Sequence, residues 1–433
     1  MEPVLSRLKI RNFKSIGEKG IDLELKPLTL LVGPNGSGKS SILESLALLA
    51  ANVGGGAFGL NGELVHFNAY EEIAHKHSID QWIVWEIWLS RNIGVRYEHR
   101  PDSGEEKETV LTEGKESVQF SLEGNRLEEK RLFVSLPGKN LKVQVGNSLV
   151  RLDGRKYNSS TTLQGLADTG RRSRRMNLPV GPNAVQEKPY PELDDAASTV
   201  ERLGTQLQEQ IFLLSALRGE VAAQSTTGQI PRWCGPRGEG LLPLLALVQG
   251  SSLQEYEDKW SKIQFWANEF GLLKLKAGIR GVNTLAADFL DRDLKTTVNL
   301  AFAGQGSRQI LSVITQLFWA TPESIIMIEE PEISLHPEAQ VKLGELFADA
   351  ILEDKQIIAT THSHFLLLAL SRAVEKGLKV EDIAVYHVTK GKEGTEAKPV
   401  KLSKRGYPLG WPPSYEKVER DIALNWAKDL AKE

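Results

Sequence analysis

Nine residues near the N-terminus, GPNGSGKSS from Gly33 to Ser41, have the spacing of a loop that binds phosphate. Gly33 to Ser40 match the pattern G-x-x-x-x-G-K-S, and the apolar run LTLLV precedes them. The glycines allow backbone N–H groups to turn inward around a phosphate without a clash from a Cβ atom. The side chain of Lys39 can reach the β- and γ-phosphates of a nucleotide. The residues predicted to bind the nucleotide are Gly33, Asn35, Gly36, Ser37, Gly38, Lys39, Ser40 and Ser41.

Two adjacent acids, Glu329 and Glu330, follow a second apolar run, IIMI at 325–328. Two adjacent buried carboxylates would be costly without a cation beside them. Glu329 is placed to hold Mg²⁺ through water, together with the hydroxyl of Ser40, and Glu330 is placed to polarise an attacking water. The alternative is a strand that ends in a solvated acidic turn.

A third apolar run, QIIAT from Gln356, leads into Thr361, His362 and Ser363. Open parallel sheets bind ligands at the carboxyl ends of their strands, so His362 is predicted to contact the γ-phosphate and to sense its loss. A lone histidine at a strand end is more often structural, and the order of the three motifs is what favours a catalytic role here.

The segment GQGS at 304–307 opens a helical pattern in which Ile310, Leu311, Ile314 and Leu317 share a face. A Gly–Ser start of a helix can bind an anion. The loop that contains Lys39 already surrounds one triphosphate, so Ser307 is predicted to cap the nucleotide of a second subunit. The alternative is an ordinary helix cap with flexible glycines.

The overall charge gives no reason to expect nucleic-acid binding, because 53 basic residues are balanced by 56 acidic ones. One local exception is GRRSRRM, which places Arg171, Arg172, Arg174 and Arg175 together. This cluster can meet phosphates of a nucleic acid. A solvated loop paired with acids elsewhere is an equally good interpretation.

The single cysteine, Cys234, excludes a disulfide framework or a cysteine-based zinc site within the chain. A reduced, cytoplasmic setting fits this composition. No apolar run approaches the roughly 18 residues of a membrane helix, and the charged N-terminus does not resemble a signal peptide. We therefore expect no membrane association.

The predicted fold is an α/β P-loop nucleoside triphosphatase (NTPase) with an antiparallel β lobe and an inserted region of helices and loops. The start of the chain, SRLKIRNFKSI, is expected to be an edge strand, and 79–152 an antiparallel meander on the nucleotide-binding sheet. The stretch from Glu192 through IFLLSAL is interpreted as one helix, and IAVYHVTK with KPVKLS as a strand pair. The expected divisions are 1–78, 79–152, 153–300 and 301–433.

Together the motifs resemble ATPases of the ATP-binding-cassette (ABC) type, and more narrowly the heads of the RecF, SMC and OLD group. The resemblance is carried by LKIRNFKSIGEKGIDLELKPLTLLVGPNGSGKSS, IIMIEEPEISLHPEAQ and IIATTHSHFLL, and by LSALRGE and GPRGEGLLPLL. It implies that Glu330 is the catalytic glutamate, His362 the switch histidine and Ser307 a signature serine donated to a partner. Ser334 to His336 would then face that partner. Glu329 stands where most relatives carry Asp, and His75 and His77 lie where such relatives place a glutamine lid.

The function implied by this resemblance is an ATPase that dimerises on ATP and Mg²⁺ and gates a separate effector protein, a nuclease or a toxin, in anti-phage defence. Homodimers or higher homo-oligomers are expected. Two alternatives stay open at this point. One is a nucleotide-gated scaffold or sensor with negligible hydrolysis, and the other is a RecF-like repair ATPase that acts on DNA. The sequence after His362 lacks the acidic set of a Toprim nuclease domain, so no nuclease is expected in it.

Overall fold

The computed structural model describes residues 3–53, 58–89, 93–112, 115–123, 131–136, 139–146, 149–152, 155–157, 191–219, 225–226, 230–280, 284–292 and 295–410. The predicted arginine cluster (Arg171, Arg172, Arg174 and Arg175) and the tail from 411 onward lie outside the described residues. Within them the chain is a mixed α/β protein built on several sheets, which confirms the predicted fold class.

The chain alternates long runs of strands with helices. The strands are β1 (Leu5–Arg11), β2 (Ile21–Glu24), β3 (Leu28–Val32), β4 (Ile83–Leu89), β5 (Ile93–Arg100), β6 (Glu105–Thr112), β7 (Lys115–Glu123), β8 (Arg131–Leu136), β9 (Lys139–Gly146), β10 (Leu149–Leu152), β11 (Arg155–Tyr157), β12 (Ile211–Leu214), β13 (Ser225–Thr226), β14 (Leu272–Ile279), β15 (Thr284–Asp291), β16 (Thr297–Asn299), β17 (Ile325–Glu329), β18 (Gln356–Thr361), β19 (Ile383–Gly391) and β20 (Gly394–Pro399). The helices are α1 (Lys39–Asn52), α2 (Tyr70–Ile73), α3 (Pro191–Gln210), α4 (Leu241–Gly250), α5 (Gln254–Glu269), α6 (Gln305–Trp319), α7 (Pro337–Ile351) and α8 (His364–Glu375), with short 3₁₀ turns at His75–His77, Leu300–Phe302 and Val380–Asp382.

A six-stranded sheet in the order β12-β17-β18-β3-β19-β20 carries the glycine-rich loop, and its first five strands run parallel. Only β20, at one edge, runs antiparallel. The sheet separates two apolar cores, since Leu31 packs into one while Leu30 and Val32 pack into the other. Strands covered on both faces need continuous apolar runs, which is why LTLLV and IIMI do not alternate with polar residues. The carboxyl ends of β3, β17 and β18 meet at one edge of this sheet.

A second sheet has ten strands in the order β11-β10-β9-β8-β7-β6-β5-β4-β1-β2, and its neighbouring strands pair antiparallel. Two expectations were wrong here. β1 is not an edge strand, because Leu8 pairs with Leu23 on one side and with Ile87 on the other. The meander extends this sheet through β4 and is not added to the sheet that carries the glycine-rich loop.

One buried side chain joins the two sheets. Gln356, the first residue of β18, is 1% exposed. Its Oε1 accepts a hydrogen bond from the Leu5 amide at 2.9 Å, and its Nε2 donates to the Leu5 carbonyl at 2.8 Å and to the Lys26 carbonyl at 3.1 Å. The amide group therefore satisfies backbone groups at the start of β1 and just before β3.

The region from 153 to 300, expected to be helices and loops, also contributes strands. α3 ends at Gln210, and the following IFLL forms β12 instead of continuing the helix. All four residues of β12 are buried, as the strand pairs parallel with β17 in the central sheet. A third, small sheet contains β13, β15 and β14, with β16 beside β15. Nearer the C-terminus, the expected pairing of IAVYHVTK with KPVKLS is confirmed in part. β19 pairs with Gly394–Pro399, which begins four residues before KPVKLS and includes its first two residues, Lys398 and Pro399.

Candidate functional site

The glycine-rich loop joins β3 to α1, and its backbone is left-handed at two positions. Gly36 has φ = 72° and Gly38 has φ = 103°, values that a side chain with a Cβ atom rarely adopts. A Cβ atom on Gly38 would also overlap the hydroxyl of Thr395 and press on Ser15 Oγ. Gly38, the second glycine of the pattern, is thus favoured both by its positive φ and by the lack of space for a side chain.

Two hydroxyl side chains outside the motif, those of Thr395 and Ser15, contact the glycine-rich loop and the start of α1. Thr395 Oγ1, on β20, lies 3.0 Å from the carbonyl oxygen of Ser37 and 2.8 Å from Ser15 Oγ. Ser15 Oγ lies 3.2 Å from Ser41 Oγ at the start of α1. These contacts fix both ends of the turn relative to the edge strand and to the segment after β1.

Lys39 is the first residue of α1, and its side chain curls back over the loop. The Nζ atom donates to the carbonyls of Gly33 at 3.0 Å and Pro34 at 3.1 Å, and it lies 3.0 Å from Nε2 of His362. Burial lowers the pKa of Lys39, while the nearby carboxylates, first Glu330, oppose that shift. The ammonium group therefore lies among acids at the edge of the parallel sheet.

His362 follows β18 and also contacts the end of β17. Its Nε2 atom lies 3.3 Å from Oε1 of Glu330. Burial is the main reason that the pKa of His362 is lowered, and repulsion from Lys39 acts in the same direction. Glu330 itself has φ = 44°, and its amide donates to the carbonyl of Thr360 at 3.0 Å. The turn after β17 is thus fastened to β18 beside the histidine.

A buried arginine holds that turn from the other side. Arg218 is 2% exposed, and its guanidinium donates to the carbonyls of Glu329 at 2.6 Å, Glu330 at 3.0 Å and Ser215 at 3.0 Å. Burial lowers its pKa to about 10, so the group stays charged at neutral pH. The amide of Ala216, two residues earlier, donates to Oε2 of Glu329 at 3.2 Å. The segment after β12 thus holds the backbone of both acids and the carboxylate of Glu329.

A third acid, Glu332, lies on the same turn and is 7% exposed. Its Oε1 accepts from the hydroxyl of Thr361 at 2.6 Å and from the amides of His362 at 2.9 Å and Ser363 at 3.2 Å. The Ser363 hydroxyl in turn caps α8 through the amide of Leu366. Glu332 therefore contacts the segment that carries the histidine and not the loop of Lys39.

Ser307 lies elsewhere, in the first turn of α6. Its amide donates to the carbonyl of Gly304 at 3.1 Å. The adjacent Gly306 packs so closely on the carbonyl of Ser334 that a Cβ atom would overlap it. The predicted signature serine and the loop after the acids are thus neighbours, whereas the contacts of Ser307 are with its own helix start and not with the glycine-rich loop.

The two histidines considered as a lid lie in the 3₁₀ turn at His75–His77. His75 Nδ1 contacts the carbonyl of Lys14 at 2.8 Å, and His77 Nδ1 contacts the carbonyl of Glu71 at 2.8 Å. Both rings are therefore oriented by nearby backbone.

The residues at the loop suit a nucleotide with a hydrated Mg²⁺. Ser40 is exposed at the start of α1, and the buried hydroxyl of Ser37 has no hydrogen-bond partner among the described residues. Within the same part of the chain, no group of three or more His, Cys, Asp or Glu side chains forms a metal site by itself. Magnesium at nucleotide sites takes few protein ligands and completes its shell with water and phosphate oxygens. Ser40 and Glu329 fit that donor set.

Sequence reasoning missed three residues that position the site: Arg218, Glu332 and Thr395. Arg218 lies in LSALRGE, where a charged residue directly after an apolar run is a weak signal of a buried ion. Glu332 is the third acid of EEPE, and nothing in the sequence indicates that its role differs from that of the two acids before it. Thr395 carries no signal, since its role comes from the pairing of β20 with β19.

Two family models match parts of the chain. A model described as AAA domain matches residues 7–168, and one described as AAA ATPase domain matches residues 237–367. The first match contains the glycine-rich loop, and the second contains the paired acids and His362. Together with the glycine-rich loop after a parallel strand, these two matches support an ATPase of the ABC, SMC and OLD-like type.

A curated relative adds a narrower similarity. The chain is 46% identical to the OLD nuclease of Thermus scotoductus over 50 residues, which are 12% of this chain and 9% of that protein. The match therefore spans about a tenth of the relative's length.

Solved SMC heads are similar over most of the chain at low identity. The SMC head bound to the C-winged helix domain of ScpA has a TM-score of 0.49 with 11% identity, over 93% of this chain and 99% of that one. The SMC head domain from Thermotoga maritima has a TM-score of 0.42 with 13% identity, over 92% and 99%. Among the described helices, none has both the length and the apolar composition needed to cross a membrane.

Proposed function

We propose that the chain binds ATP with Mg²⁺ and hydrolyses it to ADP and phosphate. The observation that supports this most directly is that Nε2 of His362 lies 3.0 Å from Lys39 Nζ and 3.3 Å from Glu330 Oε1. Three strand ends thus contribute a cation, a histidine and a carboxylate to one place beside a phosphate-binding loop. Such a group is suited to phosphoryl transfer, where positioning and charge do most of the work.

Each residue has a distinct role in this proposal. The loop amides and Lys39 bind the phosphates, while Ser40 and Glu329 hold Mg²⁺, the latter through water. Magnesium supplies charge neutralisation on the β- and γ-phosphates. Glu330 accepts a hydrogen bond from the attacking water, and His362 orients that water and contacts the γ-phosphate.

We further propose that two copies associate head to tail on ATP. Ser307 of one chain would cap the nucleotide held by Lys39 of the other, since a helix start favours an anion. Support comes from the close packing of Gly306, the residue before Ser307, on the carbonyl of Ser334, since both segments are predicted to face the partner. By analogy with the OLD group, the dimer, or a higher oligomer, gates a separate effector in anti-phage defence.

The test is steady-state phosphate release by the purified chain with ATP and Mg²⁺. We expect release that disappears in Lys39→Ala and falls by about 10²–10⁴-fold in Glu330→Gln. Nucleotide binding should persist in Glu330→Gln, which should accumulate as a dimer with ATP in sedimentation analysis. Binding without release in the wild type would favour the sensor alternative, and no binding would overturn both.

A further inference from the structure

We propose that Glu332 is a positioning residue that sets the place of His362 relative to Glu330. This inference rests on the proposed ATPase function of the same site. Glu332 does not touch the reacting atoms in this arrangement. It acts through the backbone of the segment Thr361–Ser363, to which a single carboxylate oxygen is bound by three hydrogen bonds.

The contacts of Glu332 are strong and leave little freedom. Hydrogen bonds to an ionised carboxylate are shorter and roughly twice as strong as neutral ones. The three donors come from a hydroxyl at 2.6 Å and from two consecutive amides at 2.9 and 3.2 Å. The side chain is 7% exposed, so water does not replace these bonds easily. The oxygen therefore fixes the direction in which the chain leaves β18.

The carboxylate is rigidly connected to the proposed catalytic acid. Glu332 and Glu330 share one tight turn, in which the amide of Ile333 donates to the carbonyl of Glu330 at 3.1 Å. The amide of Glu330 is fastened in turn to Thr360, immediately before the segment that Glu332 holds. The two strand ends are thus joined on both sides of the histidine.

The separation of His362 and Glu330 makes this connection matter for catalysis. Their contact of 3.3 Å is close to the limit of about 3.5 Å beyond which a hydrogen bond is lost. A shift of about 1 Å in the His362 backbone would separate the imidazole from the carboxylate. Misplacement on that scale can cost about 10²-fold in rate.

Two substitutions of Glu332 test separately the charge of its side chain and the length of that side chain. Glu332→Asp keeps the charge but withdraws the oxygen by about 1.5 Å, the length of one C–C bond. Glu332→Gln keeps the reach and an acceptor oxygen but removes the charge. We expect Glu332→Asp to lower kcat by about 10- to 100-fold with KM changed less than about threefold, and Glu332→Gln to stay within about tenfold of the wild type. The same Glu→Asp change at exposed Glu381 is the matched control and should leave kcat unchanged.

A double-mutant cycle tests whether Glu332 acts through the histidine. In a His362→Ala background, we expect Glu332→Asp to lower kcat by less than about threefold further. Multiplicative losses in the double variant would overturn the proposal, as would equal losses of kcat and ATP affinity in Glu332→Asp. Thermal unfolding of each variant shows whether it still folds. If Glu332→Asp does not fold, the double-mutant cycle of Glu332→Gln with His362→Ala tests the positioning role instead.

Hydrogen exchange separates a failure of this proposal from a failure of the ATPase function. The amides of His362 and Ser363 should exchange faster in Glu332→Asp than in the wild type or in Glu381→Asp. Unchanged exchange would overturn the positioning role whether or not the chain hydrolyses ATP. Absence of hydrolysis in the wild type, with faster exchange in the variant, would overturn the ATPase function alone.

Discussion

The Nζ atom of Lys39 and the Nε2 atom of His362 lie 3.0 Å apart, although 323 positions separate them in the sequence. An ammonium group can only donate, so this contact requires a lone pair on Nε2. The contact of the same Nε2 with ionised Glu330 at 3.3 Å requires a hydrogen there instead. One atom thus faces a donor and an acceptor, and its protonation determines which of them it binds.

This arrangement predicts how His362 affects stability with pH. The folded chain lowers the pKa of His362, chiefly through burial, from about 6.5 in the unfolded chain. Below about pH 6.5 the unfolded chain therefore binds more protons at this residue, and the free energy of unfolding falls as the pH falls toward the folded pKa. We expect the wild type to lose stability relative to His362→Gln between about pH 7.5 and about pH 5.5. Denaturant unfolding at several pH values measures this difference, and a relative gain for the wild type at low pH would contradict the prediction.

Arg218→Lys should slow the reaction and weaken the fold. A lysine cannot reproduce the planar fork that reaches the carbonyls of Glu329 and Glu330 together. We expect a loss of about 1–3 kcal/mol in the free energy of unfolding, because a buried carbonyl loses its donor, and a fall of about tenfold in kcat. Denaturant unfolding and phosphate release measure the two effects. Arg237→Lys, at an exposed side chain on the neighbouring loop, should change neither.

Gly38→Ala should abolish tight nucleotide binding. The backbone at Gly38 has φ = 103°, and a methyl group there would overlap the hydroxyl of Thr395. The loop must shift to admit it, so we expect ATP affinity to fall by more than about tenfold. Isothermal calorimetry measures the affinity. Gly250→Ala is a fitting control, because a Cβ atom there meets no neighbour within 4 Å. Equal affinities for the two variants would show that the loop tolerates the methyl group.

Gln356→Ala should destabilise the chain without touching the proposed chemistry. It leaves the amide and carbonyl of Leu5 and the carbonyl of Lys26 without their side-chain partner. A buried backbone group without a hydrogen-bond partner lowers the free energy of unfolding by about 1–3 kcal/mol. The loss is smaller where a water molecule enters and replaces the missing partner. We expect the denaturant midpoint to fall while the KM for ATP stays unchanged. The same substitution at exposed Gln254 should have little effect on the midpoint, and a similar fall at both positions would refute the proposed link between the sheets.

The sequence is most informative where the residues of a predicted site are consecutive in the chain. The glycine-rich loop, the paired acids and the Thr-His-Ser segment each follow an apolar run. Parallel strands place their carboxyl ends at one edge, so the proximity of these three segments follows from their positions after the strands. The structure brings Lys39, Glu330 and His362 together at that edge. Their chemical roles remain predictions for the experiments above.

The errors came from long-range pairing. SRLKIRNFKSI looks like an edge strand by itself, since nothing in it indicates that a strand beginning at Ile83 returns to cover its second side. IFLL is easily mistaken for the end of a helix, because four apolar residues fit either a buried helical turn or a buried strand. Arg218, Glu332 and Thr395 give little local signal for a related reason. Each acts on residues remote in the chain, and such contacts have no local pattern.

Arg218 donates to the main-chain oxygens of Glu329 and Glu330 and not to their carboxylates. These two hydrogen bonds are consequently independent of the side chains at positions 329 and 330. Reactivity could be lost or altered in a descendant of this gene while the architecture around it is inherited intact. Under the proposed ATPase function, replacement of Glu330 would remove the group that polarises the attacking water and would keep both of these bonds, so a single substitution would turn a hydrolase into a nucleotide receptor.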